Sequence, residues 1–291
     1  TLEDLKHIHE AIIADSKIVI ILAGGFDKDR ALKILEESWG SIKASTKIKQ
    51  SRSELAPNLP VFSVLPVNFD QAGCQIVYGY EKEPNDKRTV ALGLLNAYFS
   101  HPGLGLLSTE LREKRKLVYS IQSGLELSKQ KGLFAIDTRF NHQKTKEVTS
   151  TLFETINELK KSGPRKEELE HIKTSYLAAL HEDAEEPEFW CYFLESSGMM
   201  DLDVVKDFDN FHKQILKLDG SDLLREARSI FQEKNLTIVM AGPYEPKAVG
   251  EIKTYLEEII GKELRLDSET EKYVTRWSVA GRIKSLFTKK R

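Results

Sequence analysis

The feature that most restricts this chain is an internal repeat. A helix–strand–helix pattern near the start returns near the end, and a shift of 218 positions superimposes the two copies without a gap. Asp4 falls on Asp222, Leu5 on Leu223, Ile20 on Ile238, Ala23 on Ala241, Gly24 on Gly242 and Ile34 on Ile252. Repeats carry a shared supersecondary unit, and a period of domain size implies two homologous domains. The expectation is that the chain holds the end of the first and the whole of the second. In the first copy Leu2–Ala14 reads as a helix, with Thr1 at the N-cap and Asp4 in the capping-box position. Lys17–Gly24 is a β-branched apolar run and reads as a buried strand, and Asp27–Trp39 as a second helix. Ser221–Phe231, Leu236–Gly242 and Pro246–Ile260 take those roles in the second copy.

Between the copies lies a polar stretch with Pro57 and Pro60, Lys47–Pro60, which reads as a linker. Strands are expected at Val61–Leu65 and Gln71–Tyr80, a helix at Asn85–Phe99, a breaker at His101–Gly105 and a short helix at Leu106–Glu113. Leu117–Leu125 and Gly132–Phe140 alternate as half-buried strands joined by a hairpin loop. Helices follow at Gln143–Ser162, stopped by Gly163-Pro164, then at Lys166–Glu182, Glu188–Met199 and Val204–Leu216. Hairpin-linked strands and segregated helices predict an α+β fold: an antiparallel-rich sheet with helices on one face, in a duplicated domain. The expected divisions are 1–46 for the end of the preceding domain, 47–60 for the linker, 61–265 for the complete domain and 266–291 for a basic tail.

Several chemistries are set aside by the residues themselves. A formal net charge of −2 gives no electrostatic case for nucleic acid, and no apolar run is long enough to span a membrane. Cys74 and Cys191 are too few for a disulfide framework or a cysteine zinc site. His7, His9 and Glu10 come close to the inverted zinc motif H-x-x-E-H, but position 11 is Ala, and the repeat places Arg225 and Arg228 at the positions of His7 and Glu10. His171 and His181 lie nearly three helical turns apart, roughly 15 Å, too far for one ion. His101 and His142 are lone loop histidines. No G-x-S-x-G elbow is present, and the glycines at Ala23–Gly25 and Gly103–Gly105 read as turns rather than phosphate loops. Glu182–Glu186 reads as a solvated acidic run and the closing RIKSLFTKKR as a frayed basic tail. A soluble chain is expected, with the cytoplasm slightly favoured.

What remains is Leu111–Ser120, LREKRKLVYS, which places Arg112 and Tyr119 on either side of a short basic connection from helix to strand. On chemistry alone the pair reads as a surface arginine and a sheet tyrosine. The longer segment LLSTELREKRKLVYSIQS, however, resembles the S-R-L-F-x-x-L-R-E-K-x-G-L-A-Y-S hallmark of the second, non-catalytic domain of insulinase/pitrilysin-type zinc metallopeptidases. The resemblance covers nearly the whole chain. TLEDL followed by AGGFD looks like the end of the family's first domain, and SGPRKEELEHIKTSYL looks like its G-x-t-x-x-E-L-x-x-a-K helix. Two departures stand out: SHPGLGL replaces the family's Gly-Gly-Gly-x-Ser-Ser-Arg run, and Lys116 stands where Gly is usual.

The resemblance implies a division of labour. A partner half or subunit bearing H-x-x-E-H would hold zinc, and this chain, with no metal of its own and predicted inactive alone, would close over a peptide to complete a chamber. Matched to the motif, Arg112 and Tyr119 would be its donors to the bound peptide. A phenol O–H can steady negative charge growing on a peptide carbonyl, and a guanidinium can anchor a neighbouring one. Such donors act only when the halves close. Substrate would bind extended, and the chain could work in a homo- or heterodimer. The alternative is a catalytically inactive relative that serves as a structural or substrate-recognition subunit of a processing-peptidase-like complex.

Overall fold

The computed structural model describes residues 1–15, 18–42, 60–81, 88–128, 131–200 and 208–275. The chain order is α1 (Leu2–Asp15), α2 (Lys28–Trp39), β1 (Val61–Pro66), β2 (Gln71–Glu81), α3 (Thr89–Ser100), a π-helix (Ser108–Lys114), β3 (Val118–Leu127) and β4 (Lys131–Asn141). Then come α4 (Thr145–Ser162), α5 (Lys166–Asp183), α6 (Pro187–Met200), α7 (Phe208–Lys217), α8 (Gly220–Ile230), β5 (Leu236–Gly242), α9 (Pro246–Ile260) and β6 (Arg265–Leu266).

The strands form one mixed sheet in the order β3-β4-β2-β5-β1-β6. The β3–β4, β4–β2 and β2–β5 ladders are antiparallel, while β5–β1 and β1–β6 are parallel. The fold is α+β, as the strand and helix pattern predicts. Strand alternation decides which face is covered: Ala72, Cys74, Ile76 and Tyr78 of β2, and Ile238 and Met240 of β5, point into the core under the helices. Phe99, Phe134 and Phe231 pack there with ring centroids 5.1–5.6 Å apart, joined by Tyr78. The opposite face carries Gly73, Gln75, Asp137 and Arg139, none of them buried.

The 218 spacing recurs in the starts of the helices. Position 2 opens α1 and position 220 opens α8; Lys28 opens α2 and Pro246 opens α9, both at the 218 spacing. The caps follow it too. The Asp4 N–H donates to Thr1 Oγ1 at 3.2 Å, and Asp219 with Asp222 forms a full capping box at the equivalent positions.

Three expectations need correction. Residues 18–23 form no strand: none of them is buried, and no strand among the described residues runs beside them to supply a ladder. The segment read as a short helix at Leu106–Glu113 is for most of its length a wider π-helix. The tail does not begin at 266: Leu266 pairs with Phe62 in β6, and residues 268–275 form a helix whose Thr270 is buried and accepts a 2.8 Å hydrogen bond from the Val64 N–H. The acidic run is solvated as expected: Glu182, Asp183, Glu185 and Glu186 are all exposed, at the end of α5 and in the turn that follows it. The linker apart from Pro60, the start of the helix expected at Asn85, the first residues of Val204–Leu216 and the basic end lie outside the described residues.

Candidate functional site

Leu107 and Leu111 anchor the π-helix by full burial, and the Leu117 N–H donates to the Leu111 carbonyl at 2.8 Å to close its end. With those residues inward, Arg112 and Glu113 face solvent. The Arg112 side chain is 58% exposed, and its Nε lies 3.7 Å from Glu113 Oε1. An exposed pair of that length holds a guanidinium weakly, so Arg112 can engage another acceptor. Arg115 is committed elsewhere: it donates to Thr151 Oγ1 at 3.0 Å and sits 3.6 Å from Glu154 on α4. Lys116 then turns the chain with φ +53°, the left-handed region that favours glycine. The glycine of the hallmark that this segment resembles would take that conformation without strain.

Tyr119 is placed by a β-bulge. Val118 pairs with Phe140, but Ser120 pairs with the next residue, Arg139, so Tyr119 is the extra residue. The bulge lets Val118 stay buried and Ile121 pack against the core although they are three apart. It leaves Tyr119 and Ser120 both exposed, Tyr119 at 64%. Neither Arg112 nor Tyr119 is turned into the interior, and no hydrogen bond joins them.

Beside the bulge, the open face of the sheet holds a hollow of about 520 Å³. The ladder registers arrange its walls in two rows. Ser120, Arg139, Gly73 and Ala241 stand side by side, and one step along stand Gln122, Asp137, Gln75 and Val239. Gly73 and Ala241 leave the first row nearly empty of side chain, which opens the space. Gln75 Nε2 donates to Asp137 Oδ1 at 2.8 Å across the second row. The Cys74 thiol is pushed up to about 12 by burial, with the Asp137 charge adding to the effect. It stays a thiol and supplies no nucleophile. Sequence reasoning passed over Asp137 and Arg139; the signal was there in polar residues alternating with Phe134, Ile136 and Phe140 on β4.

Among the described residues no three of His, Cys, Asp and Glu gather to hold a metal ion. His7, His9 and Glu10 line exposed α1, and His171 is exposed on α5. His101 is spent on the Pro102 carbonyl and Ser175 Oγ, at 2.9 and 2.7 Å. His181 meets His212 of α7 at 2.9 Å, not His171. Gly103–Gly105 is a turn: a Cβ on Gly105 would stand 2.6 Å from the His101 nitrogen.

A sequence-family profile described as "Peptidase M16 inactive domain" matches residues 1–176, more than half of the chain. The chain belongs to the peptidase M16 family. It is the insulinase/pitrilysin-type family that the Leu111–Ser120 segment resembles, and the match is to its non-catalytic half. Solved structures agree on the fold. A peptidase M16 inactive domain from Pseudomonas fluorescens is 20% identical with a TM-score of 0.64, over 75% of this chain and 52% of that one. A protease from Helicobacter pylori is 19% identical with a TM-score of 0.64, over 75% and 54%. The first half of a periplasmic protease from Escherichia coli is 11% identical with a TM-score of 0.59, over 83% and 55%. The chain thus spans about half the length of these structures. No curated protein matches it. No helix among the described residues is long and apolar enough to cross a membrane. The leaning towards the cytoplasm finds no support, since one matched structure is of a periplasmic protease.

The M16 helix pattern G-x-t-x-x-E-L-x-x-a-K acquires physical content here. Gly163 ends α4 at φ +75°. Glu168 accepts from the Tyr98 hydroxyl at 2.9 Å, and Leu169 is buried. Lys173 is buried too, and its ammonium donates to the Leu216 and Leu218 carbonyls at the end of α7, at 3.1 and 2.9 Å.

Proposed function

We propose that this chain is the substrate-holding, metal-free half of an M16 zinc metallopeptidase, which meets an extended peptide with Arg112 and Tyr119. The described residues offer no set of donors that fits zinc, so in this reading the metal belongs to the half that bears H-x-x-E-H, and the roles given to these residues do not run through it. The observation that carries the reading is the bulge: it sets a phenol on the open side of a sheet edge, 64% exposed, just after an arginine whose own partner is weak. Bulges next to active sites re-aim a side chain in this way, and π-helices cluster at functional sites. The Tyr119 hydroxyl would donate to the oxygen of the carbonyl under attack and Arg112 to a neighbouring main-chain carbonyl, each as a fixed donor where negative charge grows. Both donors reach the peptide only when the two halves close, so turnover depends on closure.

The test uses the complete assembly, this chain with its catalytic partner. Tyr119→Phe and Arg112→Ala should each lower kcat by about 100-fold, the scale of one lost oxyanion donor, with zinc content unchanged. Wild-type turnover in both variants would overturn the reading. If the wild-type assembly itself hydrolyses no peptide, the alternative takes its place: an inactive relative acting as a structural or recognition subunit.

A further inference from the structure

The hollow on the open sheet face contains an arginine that the fold does not use. Arg139 is exposed, and no hydrogen bond or ion pair engages its side chain among the described residues. Arg88, Arg115, Arg165, Arg225 and Arg228 each reach a carboxylate, hydroxyl or carbonyl, and Arg30 and Arg265, whose side chains also lack such a partner among the described residues, lie outside the hollow. The nearest acid along the strand, Asp137, is tied to Gln75. The guanidinium also stands beside the emptiest part of the sheet, because its row neighbours on β2 and β5 are Gly73 and Ala241. Room and unsatisfied positive charge therefore coincide, one residue along β3 from Tyr119.

We propose that this hollow is a subsite for a peptide carboxylate, with Arg139 as the residue that recognises it. The inference rests on the peptidase reading and names the substrate class: peptides that carry a carboxylate near the cleaved bond, either on an acidic side chain or at the C-terminus. The rows give the subsite a polarity. A carboxylate fits the Arg139 row, where a planar fork matches two oxygens at once. The Asp137 and Gln122 row one step along offers acceptors to N–H groups of the same peptide. A reversed arrangement would set a carboxylate against Asp137 and leave the guanidinium without a partner. Bidentate geometry also separates arginine from lysine here, since an ammonium keeps the charge and loses the fork.

The experiment has a binding arm and a turnover arm. Fluorescence anisotropy with this chain measures four labelled peptides of one sequence, with Glu or Gln at one internal position and a free or amidated C-terminus, and a fifth with Lys at that position and an amidated C-terminus. Wild type should bind the carboxylate-bearing member of one pair at least about tenfold more tightly, the scale of a hydrogen bond to a charged group; which pair responds identifies the source of the carboxylate. Arg139→Gln should abolish the preference with unchanged circular dichroism, Arg139→Lys should restore part of it, and Arg139→Glu should reverse it towards a Lys-containing peptide. In the complete assembly, Arg139→Gln should remove the same preference from kcat/KM, whereas Arg112→Ala should slow every peptide alike. No carboxylate preference in wild type, or a preference that survives Arg139→Gln, overturns the proposal. Since the binding arm needs no turnover, a charge preference carried by Arg139 alongside normal turnover in the Arg112 and Tyr119 variants would sink the peptidase roles and keep the subsite.

Discussion

Residues 1–39 and 219–260 carry the same helix–strand–helix sequence pattern, and they meet different fates. Both open with an acid-supported cap at the same repeat position, and both helices of each start in register. Yet Leu223, Ile238 and Ile252 are 0%, 0% and 6% exposed, while their counterparts Leu5, Ile20 and Ile34 are 65%, 44% and 51% exposed. The difference teaches what each level of structure needs. Helices arise in both copies because their hydrogen bonds close within a segment and their caps are local. A strand has no such self-sufficiency. Leu236–Gly242 becomes β5 because β1 and β2 flank it on both sides, and residues 18–23, with the same apolar pattern, find no flanking strand among the described residues.

The sharpest break of this comparison is a matched pair of truncations. Leu223→Ala should cost about 2–5 kcal/mol, the transfer term plus a cavity in a packed site. Leu5→Ala, the same change at the same repeat position, should stay within about 0.5 kcal/mol in this chain. Urea denaturation of both variants decides it. Equal losses would mean that the first module is packed after all.

A smaller effect separates local caps from borrowed ones. Asp27 and Asp219 cap their own helices through backbone N–H groups two or three residues on. The end of α7 is instead satisfied by Lys173, from α5. Lys173→Met keeps the apolar stem and leaves the Leu216 and Leu218 carbonyls without that donor, which should cost about 1–3 kcal/mol and loosen α7 first. Amide exchange confined to α7 would confirm a tertiary cap; no change in stability would show that the carbonyls find water instead.

The same distinction explains what was legible in the sequence. The caps, the 218 register, the hairpin strands and the α4–α5 break at Gly163 are local signals, and each stands within a residue or two of where it was read. Features set by neighbours were not legible. β6 is two residues long, too short for periodicity, and exists because β1 offers it an edge. The bulge at Tyr119 follows from the need to bury Val118 and pack Ile121 against the core, which only the pairing with β4 reveals. Arg112 and Tyr119 could be named because a segment pattern carried them. Arg139 could not, because an arginine alternating with buried residues looks like any solvent-facing strand position until Gly73 and Ala241 are seen beside it.

The smallest effect concerns a position where burial plays no part. Lys116 takes a left-handed conformation between Arg112 and Tyr119. An L side chain there costs about 1–2 kcal/mol, and glycine would relieve it. Glycine also loosens the unfolded chain, which gives back about 0.4–1 kcal/mol. The relief is the larger, so Lys116→Gly should raise stability by roughly 0.5–1 kcal/mol. The Lys116 carbonyl, which accepts from Lys144 Nζ at 3.4 Å, keeps its partner in that variant. A stability loss would mean that the lysine side chain itself holds the connection. A gain, with unchanged turnover in the complete assembly, would show that backbone shape alone sets the spacing of the arginine and the tyrosine, and that the residue filling the turn is free to vary.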